Sequence, residues 1–303
     1  MAEHQFIPRE YYLSYGLNPL ALTIRPGDAV FTRLVDAHGY DESGGKVTGS
    51  PNPLTGPFII EGIHPGNTLA VTIQRIAPNR KSGWASQSLH PNLFSCGDTP
   101  YKKDYVDWEL DLERQRALPC GQAAPFDKLE IPFAPVLGCI GVAPGQRETA
   151  LSVDCGQYGG NMDLCAITTG ITLYLPVFVE GAYLYFGDGH ATQGAGEITG
   201  NGIEVSFDLQ FSVDVLRTTG YARLRGRDQE RIYSIANARP LEEACHQATE
   251  GMVAWLVESY GCDLRTAGLL MGQLVDYKIG NLVSNAFTVA CSIERRFLSG
   301  LTD

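Results

Sequence analysis

The most regular alternation of apolar and polar positions runs from Ile203 to Leu216, where Val205, Phe207, Leu209, Phe211, Val213 and Val215 share one face. A period of two sustained over fourteen residues predicts a long strand with one face buried against a second layer. Residues 68–77 repeat the pattern, Leu69, Val71 and Ile73 against Thr68, Ala70, Thr72 and Gln74. The apolar run from Ile171 to Phe186 predicts a third long strand, and these three form hairpins. Residues 24–35 predict a strand entered through the Pro26-Gly27 turn, and residues 58–63 another, with Glu61 inside it. Gly, Pro, Ser and Thr between Gly44 and Pro57 predict loop. A helical period appears only late. Pro240 suits a first helical turn, Ala244, Ala248, Met252, Trp255 and Leu256 recur on one face, and Gly261 closes the helix. Asp263 caps a second helix from Leu264 to about Ile279, with Ala267, Leu270, Met271 and Leu274 inward.

Alternating segments followed by one helical region predict a mainly β, sandwich-like fold with a C-terminal helical pair packed on the sheet body. All 303 residues form a single domain, divisible into a β-rich body (1–235) and a helical part (236–303). Residues 78–135 show little periodicity. Their aromatics, Trp84, Phe94, Trp108 and Phe126 together with His90, either pack the insertion onto the body or line a pocket.

A hydrophobic content of 44% supplies a sizeable core, and a net charge of −11 has the wrong sign for nucleic acid or an anionic membrane surface. The first twenty residues are too polar and too broken by Pro8, Gly16 and Pro19 for a signal peptide, and no apolar run is long enough to span a bilayer. A cytoplasmic homo-oligomer acting on a small neutral or cationic substrate is expected. The eight cysteines lack any C-x-x-C pair and read as reduced, mostly buried thiols.

Candidate chemistry concentrates after the Ile171–Phe186 run, in Gly187 to Glu197. Four glycines alternate there with Asp188, His190, Gln193 and Glu197, which predicts a tight loop projecting polar groups into one small volume. Asp36 and His38 lie in a polar turn at a strand end, which is either a ligand pair or simply a turn. Asp and His suit a borderline cation such as zinc.

The order and spacing of GGNMD (159–163), LYLPVFVEGA (173–182) and GDGHATQGAGE (187–197) resemble the acetamidase/formamidase family. So do NPLTGPFIIEGIHPGNTL (52–69) and GCIGVAP (138–144). The resemblance implies a zinc-dependent hydrolase of small linear amides, with an Asp at the position of Asp36 and a Glu at that of Glu61. It also exposes two departures: Val136 and Tyr158 stand where relatives carry histidines, which bears on substrate class.

Amide hydrolysis needs an activated water, a polarised carbonyl and a proton for the leaving nitrogen. On this reading Asp36, His38, Asp188 and His190 are metal ligands, and Glu197 and Asp163 carry protons. Gly160, Asn161, Gln193 and Glu61 line the substrate, though Asp163 or Glu61 could exchange places with a ligand. No G-x-S-x-G elbow, S-x-x-K pattern or phosphate-binding loop is present. The competing reading is a non-enzymatic β-sandwich binding module with a structural metal or small-ligand site at the Gly-Asp-His segment.

Overall fold

The computed structural model describes residues 1–95, 97, 102–121, 126–217 and 223–301. Among them the fold is mainly β, with two helices near the C-terminus. One nine-stranded sheet runs, in spatial order, through Glu3–Phe6, Ala29–Leu34, Phe207–Leu216, Thr68–Pro78, Thr172–Pro176, Arg225–Arg227, Arg231–Ala238, Phe287–Glu294 and Asp276–Ile279. A six-stranded sheet runs through Cys155–Gly156, Gly159–Asn161, Val136–Gly141, Leu184–His190, Leu54–Ile60 and Leu22–Ile24. The core lies between them: Phe211 of the first sheet meets Phe58 and Phe186 of the second, with ring centroids 5.1 and 4.4 Å apart. The alternation read in 203–216 is seen directly, since Phe207, Leu209, Phe211 and Val213 are all buried. A four-stranded sheet, Ile131–Pro132, Arg116–Pro119, Tyr105–Asp111 and Ser82–Ser86, is built from the insertion.

Helix α1 (Leu241–Tyr260) buries all five apolar residues of its predicted face and ends on Gly261 in left-handed backbone. Helix α2 (Leu264–Leu274) starts where Asp263 accepts the Thr266 N–H. Helix α1 packs on Arg231–Ala238 and Phe287–Glu294, strands of the nine-stranded sheet, and α2 packs on α1 and on Phe287–Glu294.

Five boundaries differ from expectation, the first being that the strand expected at 203–216 begins only at Phe207. The apolar run 171–186 is two strands on different sheets, Thr172–Pro176 and Leu184–His190. Proline cannot continue the ladder, and the crossover that follows stays apolar because Val177 and Ala182 are buried inside the core. Residues 24–35 likewise divide at Pro26-Gly27, so that Leu22–Ile24 joins one sheet and Ala29–Leu34 the other. The strand expected at 58–63 is Leu54–Ile60, which leaves Glu61 in the following turn. Helix α2 ends at Leu274, where Val275 turns extended and Asp276–Ile279 pairs with Phe287–Glu294.

Seven of the cysteines are free thiols, and Cys96 lies outside the described residues. Among the described residues no helix is long and apolar enough to cross a membrane.

Candidate active site

The segment from Gly187 to His190 is not a loop. It is the end of the Leu184–His190 strand, buried throughout and paired with Val136–Gly141 and Leu54–Ile60. Its glycines serve close approach: a Cβ on Gly189 would lie 2.2 Å from the Phe207 ring. Positive φ falls instead on the carboxylates, at 58° for Asp188, 47° for Asp163 and 47° for Glu197. Non-glycine residues in left-handed backbone cost on the order of 1 kcal/mol each, and such strain collects at functional sites. Opposite Asp188 sits Gly138, where a Cβ would meet Asp163 Oδ1 at 2.5 Å and Asp188 Oδ2 at 2.8 Å. That glycine is the floor on which two carboxylates converge.

Two overlapping groups form here, Asp163–His190–Glu197 and Asp188–His190–Glu204, each with its ligand atoms within 4.8 Å of one another. All five side chains are buried. Glu204 was not singled out in the sequence; its backbone bridges to both Trp84 and His190, which carries its carboxylate to the imidazole. His190 Nε2 lies 3.1 Å from Glu204 Oε1 and 3.5 Å from Asp188 Oδ1. Neither approach has hydrogen-bond direction, however, and Asp163 Oδ1, Asp188 Oδ1, His190 Nε2 and Glu204 Oε2 are buried without a hydrogen-bond partner.

The tautomer of His190 sharpens this. Gln193 Nε2 donates to the Asp163 carbonyl at 2.6 Å, so its Oε1 is turned to His190 Nδ1, 2.7 Å away. By this network Nδ1 carries the hydrogen, and a neutral imidazole presents a lone pair at Nε2 to two carboxylates. Three acceptors at such separations need a positive centre among them, either a proton or a cation. Burial lowers the His190 pKa, but Glu204 and Asp188 outweigh it and hold it well above the usual range. Burial followed by the Asp188 charge raises Asp163, burial followed by the Asp163 charge raises Glu197, and burial with the Asp188 charge raises Glu204 against the opposing pull of His190. Four buried carboxylates around one imidazole are thus an arrangement short of positive charge.

Hydrogen bonds from the flanks orient the group. Asn52 Nδ2 donates to Asp188 Oδ2 at 2.8 Å and to Asn161 Oδ1 at 3.0 Å. Asn161 Nδ2 donates to Asp163 Oδ2 at 2.9 Å, and Asn281 Nδ2 to the Asn161 carbonyl at 3.0 Å. Burial raises the Cys139 thiol far above its usual range, so it stays protonated beside Asn161. Over the cluster opens a cavity of about 380 Å³, walled by His38, Trp84, Lys103, Tyr105, Asn161 and Ser284 among others.

Asp163, Asp188, His190, Glu197, Asn161 and Gln193 therefore come together. Asp36 does not join them: its carboxylate accepts from Arg80 at 2.7 Å, from Trp84 Nε1 at 3.3 Å and from the N–H groups of His38 and Tyr40. His38 reaches the cavity wall stacked on Trp84 at 3.9 Å, where burial lowers its pKa. Glu61 is exposed and paired with Arg25 at 2.6 Å, and Gly160 is buried within its strand, close to Cys155. Val136 is buried opposite His190 in the ladder, and Tyr158 packs on Tyr15. Of the insertion's aromatics Trp84 walls the cavity, whereas Phe94 and Phe126 are exposed.

A two-sheet fold with a buried carboxylate–imidazole centre beneath a polar cavity defines the class. Residues 142–253 match the model of the acetamidase/formamidase family. The acetamidase of Mycolicibacterium smegmatis is 28% identical over 222 residues, 54% of this chain and 53% of that protein. The formamidase of Methylophilus methylotrophus is 24% identical over 262 residues, 66% of this chain and 62% of that one. The chain thus spans roughly half to three-fifths of the length of these curated relatives. The crystal structure of an acetamidase from Yersinia enterocolitica superposes with a TM-score of 0.86 at 27% identity, covering 98% of this chain and 93% of that one. The resemblance carried by the central motifs is therefore borne out, in sequence over residues 142–253 and in fold.

Proposed function

We propose that the protein hydrolyses the C–N bond of a small carboxamide, releasing ammonia and a carboxylate, with a divalent cation held by Asp188, His190 and Glu204. The observation that carries this is the set of buried polar atoms left without partners around His190 Nε2. Oxygen and imidazole donors suit zinc, and zinc bonds of about 2.1 Å at tetrahedral angles put donors roughly 3.4 Å apart. The separations of 3.1 and 3.5 Å bracket that spacing. Glu204 takes the place expected for Asp36 and His38; His38 lines the cavity, and Asp36 accepts from Trp84 behind its wall.

When bound, such a cation supplies Lewis acidity and lowers the pKa of water. The chain's own residues handle the proton. Asp163 and Glu197 face each other in one buried group, and with both pKa values raised one of them holds a proton near neutral pH. The ionised partner takes a proton from the attacking water as the C–O bond forms. The pair then delivers a proton to the nitrogen as the C–N bond breaks, leaving a carboxylate and ammonium. Asn161 and Asn281 fix Asp163, Asn52 fixes Asp188, and Gln193 fixes the imidazole.

A structural metal site would be filled by its protein ligands and leave no spare base. The Glu197–Asp163 pair beside the ligand group therefore favours catalysis over a binding module. Ammonia release from formamide, acetamide and longer amides, measured on zinc-loaded protein, is the test. Silence across the panel would sink the proposal.

A further inference from the structure

The cavity above the cluster is lined by groups of both charges. Asp188, Glu197 and Glu204 supply carboxylates, and among the described lining residues Lys103 is the only lysine or arginine; burial lowers its pKa, against the opposing pull of the Glu204, Glu197 and Asp188 charges. Burial lowers the pKa of both lining histidines, His38 and His90, so neither competes with it. The Lys103 ammonium is half-buried, donates to the Gly200 carbonyl at 3.1 Å and lies 5.6 Å from the Tyr105 ring centroid. Its remaining donors have no partner among the described residues, and an ammonium has three. Trp84 and Tyr105, edge-on with centroids 5.2 Å apart, line the same cavity.

Size adds a second constraint. Acetamide has four heavy atoms; at about 30 Å³ each, the share of a liquid water, it takes up roughly 120 Å³. The cavity holds about 380 Å³, so a formyl or acetyl group leaves most of it unfilled.

Resting on the amide-hydrolase reading, we infer that the substrate is the monoamide of a short dicarboxylic acid. Its amide lies at the carboxylate–imidazole group, its methylenes run along Trp84 and Tyr105, and its free carboxylate accepts from Lys103. A primary amine on the same chain would be repelled there. The products are the dicarboxylate and ammonium, one water being consumed.

The test compares two substrates of nearly equal shape, succinamate and the neutral amide valeramide, on zinc-loaded wild type and on Lys103→Met and Lys103→Glu. The readout is the ratio of kcat/KM values. Wild type should favour succinamate by about tenfold or more, as a charge-assisted hydrogen bond brings. Lys103→Met should bring the ratio near one, and Lys103→Glu should invert it and admit 4-aminobutanamide. If Lys103 served only to hold the Gly200 loop, both substrates would lose rate together and the ratio would stand. An unchanged ratio in Lys103→Met, or a ratio near one in wild type, overturns the inference while valeramide turnover leaves the amide-hydrolase reading in place. No ammonia from any amide overturns both.

Discussion

At the scale of the residue, Glu197 and Glu204 are both buried carboxylates beside one imidazole, and the geometry gives them different work. Glu204 Oε1 faces His190 Nε2, whereas Glu197 groups with Asp163. Glu204→Gln should therefore lose bound metal and rate together. Glu197→Gln should retain metal and lose on the order of 10²-fold or more in rate, the usual share of a proton carrier. Metal analysis and ammonia release on both variants check the division; equal metal loss in both would refute it. Gly138→Ala is a finer probe. The new methyl falls onto Asp163 Oδ1 and Asp188 Oδ2, so it should cost about 1–3 kcal/mol by overpacking and most of the metal affinity. Normal metal content in that variant would show that the floor yields. Asp188, His190, Asp163 and Glu197 were readable because motif and residue type coincide on them. Glu204 was not, since it stands in an apolar-polar alternation that reads as strand and only its backbone bridges reveal its direction. Asp36 misled for the opposite reason: a buried Asp after a strand looks like a ligand until Arg80 is seen to occupy it.

Elements were legible where one period governs them. Helix α1 and the Phe207–Leu216 strand show their buried faces as read. The run 171–186 was not, because a strand and a core crossover are equally apolar and period alone cannot divide them. The junction at residues 25–28 offers a test at this scale. Asp28, nearly buried, accepts from His4 at 2.9 Å, the Ala2 N–H at 2.7 Å and the Arg25 N–H at 3.0 Å, tying Glu3–Phe6 to the sheet edge. These contacts, His4 first, hold its carboxyl well below the usual range. A depressed folded pKa contributes stability above the unfolded value of about 3.9, and that contribution fades as pH falls through the folded value. Asp28→Asn should thus be less stable by about 1–2 kcal/mol at neutral pH, and the gap to wild type should begin to narrow below about pH 4 and close only as pH falls through the lower folded value. Urea titrations at pH 7 and pH 3 measure it; a gap independent of pH would contradict the assignment.

On the scale of the whole molecule, aromatic contacts join the sheets, Phe6 on Phe58 and Phe211 on both Phe58 and Phe186. Phe211 touches Phe58 and Phe186 across the core, so Phe211→Ala should cost about 3–5 kcal/mol in chemical denaturation. A loss below about 1 kcal/mol would mean that the layers are held elsewhere. The same strand pairing has a consequence at the other end of the core. Asp163, Asp188 and Glu197 are kept in left-handed backbone by ladders and turns of the protein itself. On the proposed function these ladders set the shape of the cage, so uptake of a cation should resemble a guest entering a crystal lattice more than the zipping of a zinc finger. Which cation a preparation would carry should then follow its history, what was dissolved around it and in what order. Batches from different media should differ in metal content and rate while sharing one circular dichroism spectrum, and a batch stripped of its ion should regain activity on reloading without refolding.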